Sequence, residues 1–424
     1  MHFPKIERTN GFFERLTLRL KLLRRTASIA GNVAFIGFMA NTVGRLERAG
    51  FNKKKAKGET IWIDNVFAPP ADAESYARYP DVSADTRPNT EAKSRKAKVM
   101  KIEEYPDVDY PFDFKEIPVS GNAINGLGET DTSRTEHPPF FVLDGPWNKL
   151  VRYFQSINET RLANLVLKIF WMDRNRLGLI AKEQRVVEDP TQMAKEIKQL
   201  AKKCGADVVG ITRLKDEMRY KDFNEPFKYA ISVAFKMDRD LMLELPTPAT
   251  SYHIQDAYKD VGQVAIDVAT AIRAMGWPAR ASTNISPDSY EVLHIRVAVE
   301  AGVGTLGKHG SLITKDFGSG VRLATVLTDL PLVEDGLKDI GVDDFCASCQ
   351  ICTNNCPPHA IFDEKQTVRG NEKWYVNFDK CVPYFVEHDN CGICIEVCPW
   401  SEPGRGNSIM RKMLAQRESK TLDD

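Results

Sequence analysis

Cys346-Ala-Ser-Cys349-Gln-Ile-Cys352-Thr-Asn-Asn-Cys356-Pro357 is the stretch on which the reading of this chain turns. A second run, Cys391-Gly-Ile-Cys394-Ile-Glu-Val-Cys398-Pro399, follows it, with Cys381 between the two. Together they hold eight of the nine cysteines. A Cys-x2-Cys-x2-Cys-x3-Cys-Pro run wraps three close thiolates around one [4Fe–4S] cubane and sends the fourth, before proline, to a neighbouring one. That crossing assigns Cys346, Cys349, Cys352 and Cys398 to one cluster, and Cys356, Cys381, Cys391 and Cys394 to a second. The second run is split, because Cys381 stands ten residues before Cys391 where three would be usual. A disulfide framework belongs to small secreted domains rather than to a chain of 424 residues. Zinc sites use Cys-x2-Cys pairs, but not this triplet followed by Cys-Pro. Cys204, left over near the end of a helix pattern, reads as a small buried or half-buried residue.

Working outward, composition sets bounds. The 58 basic and 58 acidic residues cancel, which gives no argument for nucleic acid as a partner. The length allows two or three domains around a sizeable core. Thiolate clusters imply assembly in a reducing cytoplasm. Arg24-Arg25 precedes a mildly apolar run ending at Met39, a pattern shared with twin-arginine export signals. The run is short, 23 residues precede the pair and no small-x-small site follows, so a cytoplasmic location is the expectation. No stretch reaches the roughly 18 apolar residues of a membrane span. Residues 11–50 read as amphipathic helices with Phe12, Phe13, Leu16, Leu20 and Leu23 on one face. The basic residues beside that face, such as Arg15 and Arg19, suit either solvent or peripheral membrane contact.

The rest of 1–185 reads as a wrapping region, loop-rich over 51–145 apart from a short strand at Ile61-Trp62-Ile63, and helical over 146–185. From 190 the pattern sharpens. Asp189-Pro190-Thr191 opens a helix that runs through Met193, Ile197 and Ala201 and stops at Gly205. Strands follow at 207–214 and 229–235, the second apolar enough to be central. Then come helices at 253–275 and 289–301 and strands at 311–314 and 322–327. This alternation predicts a layered α+β core over 186–335. A ferredoxin-like module over 336–405 and a tail, 406–424, with a short final helix complete the chain.

Gly302-Val-Gly304-Thr-Leu-Gly307 matches G-x-G-x-x-G literally. The dinucleotide fingerprint follows a strand and opens a helix. Here Val292, Ile295 and Val299 predict a helix before the glycines, and Lys308-His309-Gly310 leads into a strand. The glycines suit close backbone approach to a bulky ligand, or a tight helix-to-strand connection with none.

The same segment carries a resemblance. Asp288-Ser289-Tyr-Glu-Val-Leu-His-Ile-Arg-Val-Ala-Val-Glu-Ala301-Gly302-Val-Gly-Thr-Leu-Gly-Lys308-His309-Gly310 resembles the core shared by cobalamin-dependent reductive dehalogenases and epoxyqueuosine reductases. So do Leu312-Ile-Thr-Lys-Asp-Phe-Gly318, Leu327-Thr-Asp-Leu-Pro-Leu332, Trp374-Tyr375-Val-Asn-Phe-Asp-Lys-Cys381 and the split cysteine run. The likeness covers roughly 190–405. It implies a nitroreductase-like layered core that binds a base-off corrinoid (cobalamin), followed by a bacterial ferredoxin-like module with two [4Fe–4S] clusters. No Asp-x-His-x-x-Gly corrinoid signature is present, in keeping with a base-off mode.

The resemblance also implies roles. The dehalogenases place a proton-donating Tyr on the helix before the glycine turn, and the epoxide reductases an Asp. Spacing to Lys308 puts Tyr258 there, with Asp256 and Tyr252 as rival alignments and plain core packing as the alternative. Lys308 is the expected cation beside that phenol. Asp288, Ser289, Gly304, His309 and Gly310 are expected to line the corrinoid or substrate pocket. The implied activity is reductive removal of halide from an organohalide, aromatic by expectation. Electrons would come from an outside donor such as a ferredoxin, flavodoxin or flavin reductase. Epoxide reduction, and a ferredoxin-like electron carrier without its own substrate, are the competing readings.

Overall fold

In the computed structural model the described residues are 120–131, 134, 172–283 and 289–423, all within one compact unit of residues 60–424. Expectations for residues 1–119, 135–171 and Asp288 lie outside them. Six strands form the core: β1 (Val208–Arg213), β2 (Tyr229–Lys236), β3 (Ala279–Ser282), β4 (Thr305–Leu306), β5 (Leu312–Ile313) and β6 (Val321–Thr328). Four of them make one sheet in the order β1-β2-β6-β3. Every pairing is antiparallel, so the core is α+β. β2 is central, as its apolar run predicts.

Side chains alternate across this sheet. Ile211, Ile231, Val233, Ala281, Ala324 and Val326 pack on two helices. These are Pro190–Lys203 and Pro248–Ala274, numbered α2 and α4 after the short α1 (Gly121–Asn125) and α3 (Arg239–Met242). Asp189 caps α2 by accepting from the Thr191 N–H at 2.7 Å, and Pro190 occupies the first turn, where no donor is needed. Gly205 (φ 109) and Gly276 (φ 80) follow the ends of α2 and α4 in left-handed backbone. The other sheet face, Ala234 and Leu323, meets Ala298 and Ala301 of the connection through α5 (His294–Glu300). A Cβ on Gly210 would come within 2.1 Å of the Ala301 carbonyl, so the helix end packs directly on the strand backbone.

Two expectations are corrected. β3 carries no apolar run and was not anticipated; it forms an edge of the sheet by pairing with β6. Helix α5 begins at His294 rather than 289, because Val292 bridges to Arg219 and the Leu293 N–H donates to the Met218 carbonyl at 2.8 Å. Those backbone groups are committed outside the helix.

Downstream lie α6 (Val342–Ser348), α7 (Ile351–Asn354), the hairpin β7 (Gln366–Val368) and β8 (Asn371–Lys373), α8 (Phe378–Glu387), α9 (Ile393–Glu396) and α10 (Arg405–Asp423). α10 has 19 residues, longer than the short final helix expected. Ile313 of β5 sits in one apolar cluster with Val342, Trp374, Trp400, Ile409, Cys346 and Cys398. The β4–β5 hairpin is therefore plugged into the cysteine module. α1 docks on the same module: the Asp379 carboxylate accepts from the Gly121 N–H at 2.7 Å, and Asn122 Oδ1 accepts from the Phe378 N–H at 2.8 Å. No described helix is long and apolar enough to cross a membrane.

Candidate functional site

Six of the eight module cysteines lie on short helices or their caps, and Cys356 and Cys391 stand in the adjoining loops. Cys346 rides on α6 and Cys349 closes it; Cys352 is on α7; Cys381 is on α8; Cys394 is on α9; Cys398 opens the turn Pro399–Ser401. Their mutual electrostatics sort them. Cys346 feels Cys398, Cys352 and Cys349, and Cys398 feels Cys352 and Cys349. Cys381 feels Cys356 and Cys391, and Cys394 feels Cys381, Cys391 and Cys356. These interactions group the cysteines as the crossing pattern expects, with Cys394 also acting on Cys352 where the two groups adjoin.

Burial is the main cause that pushes Cys346 and Cys381 up to about 12 and Cys352, Cys391 and Cys398 up to about 11. Free, these thiols hold their protons, and iron has to displace them. All nine cysteines are unpaired. Among the described residues no three His, Cys, Asp or Glu converge on a single-ion site. Backbone donors meet the sulfurs: Ala360 N–H to Cys356 Sγ at 3.3 Å, Lys308 to Cys346, and Trp400 and Ser401 to Cys398. Such bonds stabilise charged cluster sulfurs and tune their potential. The donor set fits two [4Fe–4S] clusters.

Lys308 is buried, at 1 % exposure. Its Nζ stands 4.9 Å from the centroid of the Trp374 ring, acts on Cys352, and has no hydrogen-bond partner among the described residues. It was expected beside Tyr258. A cation that does stand over the Tyr258 ring is Arg322 of β6, with its guanidinium carbon 4.9 Å from the ring centroid. Arg322 pairs with no carboxylate among the described residues, and its Nε has no partner there. Nothing local in the sequence singles it out, because β6 reads as one more apolar strand.

Tyr258 lies half-buried on α4, in one apolar cluster with Met237, Met242, Ile254, Ile395 and Cys394. Of its rivals, Asp256 accepts from Lys259 Nζ at 2.6 Å, and Tyr252 is half-buried on the same helix. Tyr290 is close enough to Tyr258 to feel its charge.

His309 is buried and tied at both nitrogens. Nδ1 accepts from the Ser311 N–H at 3.2 Å, so Nε2 carries the proton and donates to Ser319 Oγ at 3.0 Å. Burial holds its pKa down at about 4. It is a neutral strut under the glycine turn, with neither nitrogen left for a cobalt, which fits a corrinoid bound without a histidine ligand. Ser289 is fully buried and its carbonyl accepts from Ser282 Oγ at 3.0 Å. The glycines face protein. A Cβ on Gly304 would lie 2.4 Å from the Ile313 carbonyl, and Gly310 (φ 77) backs onto Val376.

Sequence reasoning also missed two buried polar groups. Glu291 receives Arg176 Nη1 at 2.5 Å, and burial pushes its carboxyl up to about 7. His294 shares a 2.7 Å hydrogen bond with Thr325 Oγ1, and burial holds it at about 3.

Comparison with known proteins places these features in a class. A 4Fe-4S dicluster domain family matches residues 345–401. About half of the chain is similar in sequence to reductive dehalogenases. It is 27% identical over 261 residues to the tetrachloroethene reductive dehalogenase of Sulfurospirillum multivorans, covering 50% of this chain and 51% of that protein. The solved structure of the catabolic reductive dehalogenase NpRdhA in complex with 3-bromo-4-hydroxybenzoic acid superposes with a TM-score of 0.57 at 25% identity, over 66% of this chain and 42% of that one. A reductive dehalogenase structure described as suggesting a mechanism for B12-dependent dehalogenation gives 0.52 at 25% identity, over 64% and 42%. Epoxyqueuosine reductases are further relatives over shorter stretches. The chain spans about half the length of the curated relatives it matches.

Proposed function

We propose that this chain is a corrinoid- and iron–sulfur-dependent reductive dehalogenase that replaces halogen by hydrogen on an organohalide, with an aromatic substrate. One observation carries the reading: Tyr258 shares an apolar cluster with Cys394. A phenol able to give a proton therefore packs on the same apolar cluster as a cysteine of the electron-carrying module, which a plain electron carrier does not need. The dehalogenase likeness on both sequence and structure supports the same class.

When bound, a base-off corrinoid supplies the reduction of the carbon–halogen bond, and the clusters supply its electrons. The chain's own residues do the rest. The Tyr258 hydroxyl gives its proton to the carbon that loses halide. The Arg322 guanidinium over its ring favours the negative charge that then develops on the phenol. Met237, Met242, Ile254 and Ile395 around Tyr258 keep water from competing as the proton source. His309 and Ser319 hold the glycine turn in place. A nitroreductase-like layering of the core, a cytoplasmic location, and an outside ferredoxin, flavodoxin or flavin-reductase donor belong to this reading.

Epoxide reduction is the second reading, supported by a relative in Cyclobacterium marinum that is 31% identical over 131 residues. The test is halide release by anaerobically purified, corrinoid-loaded protein from bromo- and chlorophenols, beside reduction of an epoxyqueuosine nucleoside. Halide release supports the proposal. Epoxide reduction without halide release transfers the chain to the second class, and neither activity in fully loaded protein sinks both.

A further inference from the structure

A lysine ammonium in an apolar interior is costly unless an opposite charge meets it. Lys308 is 1 % exposed, its Nζ has no hydrogen-bond partner among the described residues, and no carboxylate there pairs with it. The Trp374 face at 4.9 Å is its one ring contact among the described residues, and a cation–π contact is worth only about 1–2 kcal/mol. The packing places it beside one quartet: Trp374 lies in one apolar cluster with Cys346 and Cys398, and the backbone N–H of Lys308 donates to the Cys346 sulfur. The cation that acts on the other quartet, Lys380 beside Cys356, is on the exposed surface, where water screens it.

We propose that the Lys308 ammonium is the buried counter-charge of the cluster held by Cys346, Cys349, Cys352 and Cys398, and sets its reduction potential above that of its neighbour. The inference rests on the two-cluster reading, which the iron content of the parent protein, about eight per chain, tests separately. One electron from a reduced ferredoxin- or flavodoxin-class donor takes a thiolate-bound cubane from two net negative charges to three, with no bond made or broken. A fixed positive charge, poorly screened, favours the more negative state, and net charge is among the factors that set cluster potentials.

The experiment is an anaerobic redox titration of the loaded full chain, followed by EPR, which resolves two one-electron waves. Lys308→Met keeps the length and removes the charge. It moves one wave negative by tenfold or more in equilibrium constant, about 59 mV for one electron, and leaves the other in place. Lys308→Arg restores the wave. Should Lys308→Met lose one cluster, with iron falling to about four per chain, restoration by Lys308→Arg supports the same conclusion. Two unmoved waves in a fully loaded Lys308→Met protein overturn the proposal. Equal loss of the cluster from Lys308→Arg also overturns it, since side-chain shape rather than charge would then be what the site requires.

Discussion

The cysteine module and the Tyr258 site lie in one compact unit, yet they are built by opposite means. The module takes its donors from short helices and adjoining loops close in sequence, and each quartet is complete within residues 346–398. The Tyr258 site takes a phenol from α4, a guanidinium from β6 and an apolar wall that reaches from Met237 to Ile395. Local spacing encodes the first, and only the tertiary fold assembles the second. The difference extends to charge. The module's buried ammonium has thiolates for company, whereas the cation over Tyr258 has no carboxylate among the described residues. On the proposed function, one region holds negative charge permanently and the other meets it when it forms.

The largest expected effect tests whether the quartets cross as drawn. Cys352→Ser and Cys398→Ser, 46 positions apart, are expected to lose the same cluster, each leaving about four of about eight irons and the same surviving EPR signal. Cys356→Ser and Cys391→Ser should leave the other signal. If Cys398→Ser instead behaves like Cys391→Ser, each run closes on itself and the two-quartet picture is wrong.

Next in size is Tyr258→Phe. Losing a positioned proton donor typically lowers a rate by about 10²–10⁴. Iron and corrinoid contents should stay those of the parent, because among the described residues Tyr258 makes no hydrogen bond to a module cysteine. Retained halide release would return Tyr258 to plain core packing and erase the second region from the comparison.

These two tests also mark what could be read in advance. The cysteine grouping was legible because cubane ligation imposes fixed spacings that nothing else in a long chain imitates. The helix from Pro190 and the central strand were legible because a cap, a proline and an unbroken apolar run each have a local cause. β3 was not, since Ala279-Arg-Ala-Ser282 becomes a strand only because β6 offers it an edge. The start of α5 was misplaced for a similar reason: Val292 has helical periodicity but spends its backbone on Arg219. The glycines of 302–310 announced close approach correctly but not what approaches. In the structure it is the backbone of β5 and the side chain of Val376. Arg322 gave no signal at all, as a cation's partner across a sheet has no period.

A smaller effect separates the core from the module by pH. Burial holds His294 at about 3, far below its ordinary value. A depressed value means that the unfolded chain takes up the proton first as pH falls. The stability from the neutral imidazole is complete above about 6.5 and drains away towards 3, amounting to about 2 kcal/mol lost by pH 5. Glu291, raised to about 7, has the opposite sign and loses stability as pH rises from about 4.5. Comparing melting temperatures of parent and His294→Gln between pH 6.5 and 5 isolates the histidine, because Glu291 and the acid lability of the clusters are common to both. The melting temperature of the variant should rise relative to that of the parent as pH falls across this window. Parallel slopes would mean that His294 is protonated without cost, and that the polar row beneath α5 is wetter than its burial implies.

The smallest effect is the one that decides which cation serves the phenol. Arg322 contributes through a ring contact at 4.9 Å, and a half-buried cation–π interaction is worth about 1 kcal/mol, less than tenfold in rate. Arg322→Gln should therefore lower kcat only severalfold. Its diagnostic is the solvent deuterium isotope effect on kcat: with proton delivery from the phenol unassisted, that effect should grow in Arg322→Gln and return to the parent's value in Arg322→Lys. Lys308→Met should leave the isotope effect in place while shifting a cluster potential. If the two variants exchange signatures, so that Lys308→Met moves the isotope effect and Arg322→Gln does not, then Lys308 swings from Trp374 to the phenol in the loaded protein. The line between the two regions would then run through a single side chain.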